Sequence, residues 1–335
     1  MRSEREPLDV AVLLGGTSSE REVSLTSGAA VVEALGRSDA VRRVAAVDWR
    51  ADDHFAFDGG EPLDAGAALE RLRDFDACFL ALHGGRGEDG TVQGWLEMAG
   101  VAYTGSGVAA SSLALDKHAT RAVASGAGLR VADGVLVRRG DDLAAALAPL
   151  IALDAPSYFA KDRWGGSSIG TRRIDGADGL IAGVADGFAT SSDLVVEVGV
   201  RGVEVSCPVV TFDGRHRAWP LVEIVPRGEA FFDYEQKYHA DGALERCPPQ
   251  LVDAAAQRTV AAHAERIAHD LGCAGLCRVD FLVPESGAPV LLEVNTLPGM
   301  TPRSLVRQCA EEIGLDYGAL CLELLRDALR RRGRT

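Results

Sequence analysis

The chain has 335 residues, 47% hydrophobic and 25% charged, with a formal net charge of −14. That length exceeds the size over which a single hydrophobic core keeps growing, so two or three domains of ordinary soluble globular composition are expected. The acidic balance argues against nucleic acid or an anionic membrane as partner, because both reward clustered Lys and Arg. The N-terminal run Met1 to Pro7 is too charged for a signal peptide and lacks its apolar stretch. No segment approaches the roughly 20 consecutive apolar residues of a membrane span. Of seven dispersed cysteines only Cys273 and Cys277 lie close, without the spacing of a zinc site. Free thiols in a reducing cytoplasm are the expectation.

Leu8 to Leu14 reads as a buried parallel strand, apolar nearly throughout and ended by Gly15-Gly16. A polar loop follows, then helical spacing from Val23 to Leu35 with Gly36 as its stop. Further strands near Val44 to Val47 and Ala77 to Ala81 continue the alternation of a doubly wound α/β domain over the first hundred residues. Gly15-Gly16-Thr17-Ser18-Ser19-Glu20 does not supply a dinucleotide fingerprint. Helical stretches (Ala109 to Gly126, Asp141 to Leu147) then lead to strands at Tyr158 to Lys161 and Arg172 to Ile174. Strands follow at Val195 to Val198 and Val203 to Ser206, with a hairpin over Val209 to Ala218. Pro226 to Leu251 reads as a long loop of the kind that is usually functional or disordered. Two more strands and an amphipathic helix, Tyr317 to Arg331, end the chain, its basic run Arg330 to Arg334 placing cations at a helix C-terminus.

The stretch with most chemistry is Cys277 to Val283, a Pro/Ser/Gly turn, then Val290 to Asn295. It reads as a β-hairpin. With the turn centred between Ser286 and Gly287, Asp280 pairs with Glu293 and Arg278 with Asn295, and all four polar groups emerge on one face. Two carboxylates and an amide oxygen are hard ligands suited to Mg²⁺ held partly through phosphates. An exposed, solvated sheet face is the plainer alternative.

Lys161 to Gly170 joins two strands through a Gly- and Ser-rich turn. Glycines and free N–H groups can cradle phosphate oxygens, although this is not a Walker loop and such turns are more often only turns. Lys161 on the preceding strand is a candidate cation. Lys117 is a second, which the physics of the sequence alone does not single out.

Several long segments, in order from Val10 to about Leu325, resemble the D-alanine–D-alanine ligase family. They are Gly15 to Ser24, His83 to Gly94, Tyr103 to Val108, Phe232 to Tyr238 and Glu293 to Thr301. The resemblance implies an α/β (mixed α+β), three-domain ATP-grasp fold: an N-terminal doubly wound domain (1–105) with the first amino-acid subsite, a central domain (106–196) with the phosphate loop, and a C-terminal domain (197–335). It implies that ATP phosphorylates the carboxylate of one D-alanine and that the amine of a second attacks the acyl phosphate. Lys117, Lys161 and Ser168 would contact phosphates, Glu197, Val198 and Val200 would line the adenine hinge, and Glu204 would take the ribose. Asp280, Glu293 and Asn295 would hold two Mg²⁺ ions, or Mn²⁺ in their place, and Arg278 would face the tetrahedral centre. Glu20, Ser167 and Tyr238 would link a lid over Tyr234 to Tyr238 with the first ammonium. Lys237, Ser304, Leu305 and Gly299 would serve the second substrate, and His83 the first. A cytoplasmic homodimer acting on small amino acids is implied as well.

The sequence departs from the family pattern at Asp162, at Trp164-Gly165, at Arg307 and at Pro248-Pro249, which puts substrate identity in doubt more than reaction class. An ATP-grasp ligase of altered amino-acid specificity in a specialised pathway, and a non-catalytic nucleotide or amino-acid sensor, are the alternatives. The intact set Arg278, Asp280, Glu293 and Asn295 argues against the sensor.

Overall fold

The structure is a computed structural model, and it describes residues 6–166, 170–225, 244–285 and 287–333. The first sheet is built from β1 (Leu8–Gly15), β2 (Val41–Trp49), β3 (Phe55–Phe57) and β4 (Ala77–Leu80), in the order β3-β2-β1-β4. β1 runs parallel to both β2 and β4, and the short edge strand β3 is antiparallel. Side chains alternate along β1 as the pleat requires. Val10, Val12 and Leu14 face a core shared with α1 (Arg21–Gly36), while Ala11 and Leu13 face α2 (Ala65–Leu72) and α3 (Thr91–Met98). Helices thus cover both faces, as expected, although β3, α2 and α3 were too short to be read from the sequence.

The expected helix from Ala109 to Gly126 is two helices, α4 (Val108–Leu115) and α5 (Lys117–Gly126). Asp116 stands between them with extended backbone and accepts from His118 N and Ala119 N, capping α5. An Asp that satisfies two orphan N–H groups outcompetes helix continuation. The break makes Lys117 the first residue of α5.

After β5 (Arg130–Val131) comes a separate antiparallel sheet of β6 (Gly134–Arg138), β7 (Ser157–Asp162), β8 (Arg172–Asp175) and β9 (Asp193–Val198), ordered β6-β9-β7-β8. Helices α6 (Leu143–Ile151) and α7 (Leu180–Gly187) pack on it, and its core, with Tyr158, Leu147 and Leu180 fully buried, is its own.

The largest sheet begins with β10 (Val203–Phe212), one strand running straight through Pro208. It continues with β11 (Arg215–Ala218), β12 (Val222–Val225) and β13 (Leu244–Arg246). β13 lies within the span read as loop, of which residues 226–243 lie outside the described residues. Helix α8 (Ala254–Leu271), not foreseen, buries Val260, Ala264 and Ile267 against this sheet, with an Asp253 N-cap and a left-handed Gly272 at its end. The hairpin β14 (Gly275–Val283) and β15 (Val290–Asn295) completes the sheet, and β15 pairs in parallel with β5. Its register is the expected one: Asp280 opposite Glu293 and Arg278 opposite Asn295, with a bulge after Asp280.

Finally α9 (Leu305–Glu312) and α10 (Tyr317–Arg332) return to the first sheet. Tyr317, Leu320, Cys321, Leu324 and Leu325 join Val10, Val12, Val31 and Leu35 in one core, so the two ends of the chain fold together.

Candidate active site

A cavity of about 350 Å³ lies between the small antiparallel sheet and the large one. Phe159, Lys161, Glu197 and Val198 line it from the first, and Glu204, Asp280 and Glu293 from the second. Lys117 and Val200 also reach it, so eight residues singled out from the sequence converge on one cleft. This follows from the strand pairing: β9 brings Glu197 opposite Phe159 of β7, and β14 brings Asp280 opposite Ser206 of β10.

On the small-sheet wall the charges are paired. Lys161 Nζ lies 2.5 Å from Glu197 Oε2, and Arg121 of α5 binds the other carboxylate oxygen. Burial alone would raise the Glu197 pKa, but the two cations hold it below the ordinary carboxylate value. Lys117 Nζ donates to the carbonyl of Gly165 in the glycine-rich turn. The base of that turn is fixed by Arg163, which grips Asp116 with two hydrogen bonds (2.9 and 2.6 Å) and reaches Asp193 at 3.1 Å. The residue that breaks the helix therefore also anchors the turn. Trp164 stacks on Arg163, its ring centroid 4.5 Å from the guanidinium carbon, and stays 43% exposed.

On the opposite wall Asp280 is buried and accepts from Ser206 Oγ (2.7 Å) and from Arg278 Nε (2.9 Å) and Nη2 (2.8 Å). Arg278 lies 4.0 Å from Glu293 as well. Asn295 Oδ1 accepts from Leu297 N at 2.9 Å, which orients the amide at the strand end. The four polar groups read onto one face do gather there, on a half-buried face rather than a solvated one.

A third corner comes from the first sheet. Glu20 is buried at the start of α1, and a Cβ placed on either Gly84 or Gly166 would lie 2.6 Å from its Oε2. Both glycines are needed for that close approach. It brings Glu20 against the glycine-rich turn. Ser18 Oγ donates to His83 O at 2.5 Å. His83 is buried, and desolvation with the nearby Arg278 lowers its pKa to about 4. Its Nδ1 lies 2.9 Å from Leu297 O, so the proton of this neutral ring sits on Nδ1. Nε2 accepts from Ser27 Oγ (3.2 Å), which itself accepts from Met300 N (3.2 Å). The loop after Asn295 is thereby tied to the first sheet. Glu88, within the quoted motif but assigned no role from it, is buried beside Glu20. Desolvation and that second carboxylate push its pKa up to about 8.

Further along, Ser304 caps α9, accepting from Arg307 N at 3.3 Å, and Leu305 packs beside Cys309. Gly299 borders open space on its side-chain side. Ser167, Ser168, Lys237 and Tyr238 lie outside the described residues. The reading of the sequence missed Arg121, whose place on an amphipathic helix looks like ordinary surface charge, and Gly134, one strand glycine among many.

Two sheets closing over a cleft, with a glycine-rich turn and lysines on one wall and carboxylates on the other, are those of an ATP-grasp enzyme. The model of the D-ala D-ala ligase C-terminus matches residues 123–326 and that of the N-terminus residues 54–106. A D-alanine–D-alanine ligase of Cupriavidus taiwanensis is 40% identical over 94% of this chain and 90% of its own length. Among solved structures, the VanG D-Ala:D-Ser ligase of Enterococcus faecalis superposes with a TM-score of 0.83 at 28% identity, covering 96% of this chain and all of that one. The Bacillus anthracis D-alanine–D-alanine ligase complexed with ATP gives 0.79 at 27% identity, covering 98% and 99%. The chain belongs to the D-alanine–D-alanine ligase family.

Proposed function

We propose that this chain joins two D-alanine molecules at the expense of ATP, through an acyl phosphate, and that the cleft is where it does so. The observation that carries the reading is the division of the cleft: Lys117 and Lys161 on one wall, Asp280 and Glu293 on the other. Phosphoryl transfer asks for little beyond positioning and charge stabilisation, and both walls supply charge. Lys117, Lys161 and the glycine turn with Ser168 bind the phosphates. Glu197, Val198 and Val200 border the base, and Glu204 takes the ribose.

Asp280, Glu293 and Asn295 fit Mg²⁺. They are hard oxygen donors brought together by the hairpin register. Mg²⁺ bound by few protein donors keeps waters and shares phosphate oxygens. Mg²⁺ supplies charge neutralisation of the transferring phosphoryl group; two ions, replaceable by Mn²⁺, go with this reading. Arg278, held by Asp280 beside Glu293, faces the oxyanion of the tetrahedral intermediate. Glu20 and neutral His83 form the first amino-acid subsite, and Ser304, Leu305, Gly299 and Lys237 the second. The role the family resemblance implies for Tyr238 and Ser167, which lie outside the described residues, is to help exclude water that would hydrolyse the acyl phosphate. The substrates are small molecules and the assembly a cytoplasmic homodimer. No described helix is long and apolar enough to cross a membrane.

A second reading keeps the ligase and changes the acceptor. It is favoured by Trp164, exposed in the glycine-rich turn where the family pattern is departed from, and by the likeness to a D-Ala:D-Ser ligase. The test is phosphate release from ATP with Mg²⁺ and D-alanine, D-serine, D-lactate, glycine or L-alanine, with the product identified by mass spectrometry. Release with D-alanine alone and formation of its dipeptide supports the first reading. Release only with another acceptor replaces the substrate, and silence across the panel despite ATP binding overturns both.

A further inference from the structure

Glu197 sits between two cations that come from different parts of the fold. Its side chain is 7% exposed, and those of Lys161 and Arg121 are 16% and 12% exposed. Lys161 belongs to the same small sheet and lines the cleft. Arg121 arrives from α5, behind the cleft wall, and its Nη2 also donates to Ala132 O at 2.6 Å. The passage for Arg121 is built into the backbone. A Cβ on Gly134 would lie 2.9 Å from Arg121 Nη2, 3.0 Å from Glu197 Cγ and 2.7 Å from Val196 O. A side chain at that position would crowd the strand backbone at Val196 and the Arg121 guanidinium together, so glycine leaves the room that the pair occupies.

A lysine bound to a buried carboxylate is poorly placed to serve a phosphate. If Lys161 turns towards the nucleotide, Glu197 loses a partner, and a buried charge stripped of its only partner costs several kcal/mol. With Arg121 fixed on the other oxygen the carboxylate keeps a counter-ion throughout. We propose that Arg121 is a positioning residue for nucleotide binding: it is the standing partner of Glu197 that frees Lys161 to engage the phosphates. This rests on the reading of the cleft as the ATP site.

The test compares steady-state kinetics of the full-length enzyme. Arg121→Ala is expected to raise the KM for ATP by about tenfold or more, the scale of a half-unpaired buried charge, and to leave the KM for D-alanine and kcat within about threefold. Arg121→Lys, which keeps the charge and loses the fork, restores part of the ATP affinity. The decisive arm is the background Glu197→Gln. With a neutral amide at 197 no carboxylate needs balancing, so removing Arg121 there costs less than about threefold in the KM for ATP. That double variant also guards against misfolding of the single one. An unchanged ATP KM in Arg121→Ala, with only a lower melting temperature, overturns the inference. So does the same ATP penalty with Gln at 197 as with Glu. Lys117→Ala separates the two levels: if it too leaves the ATP KM untouched, the nucleotide reading itself fails. If Lys117→Ala weakens ATP binding and Arg121→Ala does not, only the role of Arg121 falls.

Discussion

The two carboxylates of the hairpin face each other in register but differ in burial, and this separates the metal role proposed for them from their structural one. The Asp280 side chain is 5% exposed and salt-bridged to Arg278 at 2.8 Å, with Ser206 Oγ donating at 2.7 Å. Asp280→Asn removes one partner of a buried pair, a change that costs roughly 3–5 kcal/mol. At about 1.4 °C per kcal/mol for a protein of this size, the melting temperature falls by roughly 4–7 °C. The Glu293 side chain is 27% exposed and stands 4.0 Å from Arg278. Solvent screens pairs at a carboxylate this exposed, so Glu293→Gln is expected to shift the melting temperature by less than Asp280→Asn does. In turnover the two variants converge, each losing about 100-fold or more and needing more Mg²⁺ for half-maximal rate, because each removes one oxygen donor from the charge-stabilising set. Thermal melts and a Mg²⁺ titration of phosphate release read both quantities. Glu293→Gln turning over at the wild-type rate and Mg²⁺ requirement would refute the hairpin as the metal site.

Three further outcomes follow from buried contacts. Leu320→Ala, at a fully buried position in the core shared by the first sheet and α10, costs about 2–5 kcal/mol and moves a single cooperative transition; a separate melt of the two ends would contradict the shared core. Gly166→Ala places a methyl group 2.6 Å from Glu20 Oε2 and lowers turnover with little change in melting temperature; normal kinetics would detach the turn from Glu20. Glu88 has a folded pKa raised from 4.5 to about 8, so its proton is held in the folded state and its contribution is full below pH 4.5, declines as pH rises and is lost above about pH 8. Glu88→Gln removes that decline. Parallel stability curves for both proteins between pH 5 and 8 would show that Glu88 is ionised in the fold.

What could be read from the sequence was what local pattern carries. The apolar runs Cys277 to Val283 and Val290 to Asn295, with a turn centred between Ser286 and Gly287, put Asp280 in register with Glu293 without any tertiary knowledge. Helix α8 was missed because Ala, Gln, Arg and His dilute its apolar stripe, and its stability comes from burial against β10 and β14. The split of α4 from α5 was missed because Asp116 looks like an ordinary helix-surface residue until its caps and its bond to Arg163 are seen. Lys117 needed the family resemblance, and Arg121 needed the structure. Both act across a sequence separation of more than forty residues, on Gly165 and on Glu197, and no local period encodes that.

The same long-range contacts say how the cleft is put together. The first sheet and the C-terminal helices share one core, and the loop after Asn295 is tied to that sheet through His83, Ser27 and Tyr317, whose hydroxyl donates to Met300 O at 2.7 Å. The small sheet has a core of its own. Its links to α5 are polar: Lys117 to Gly165, Asp116 to Arg163 and Arg121 to Glu197. Apolar cores resist sliding because every displacement opens voids, whereas an ion pair tolerates a small rotation and re-forms. The wall that carries Lys161 is therefore joined to α5 and its cap by ion pairs and hydrogen bonds rather than by a shared apolar core.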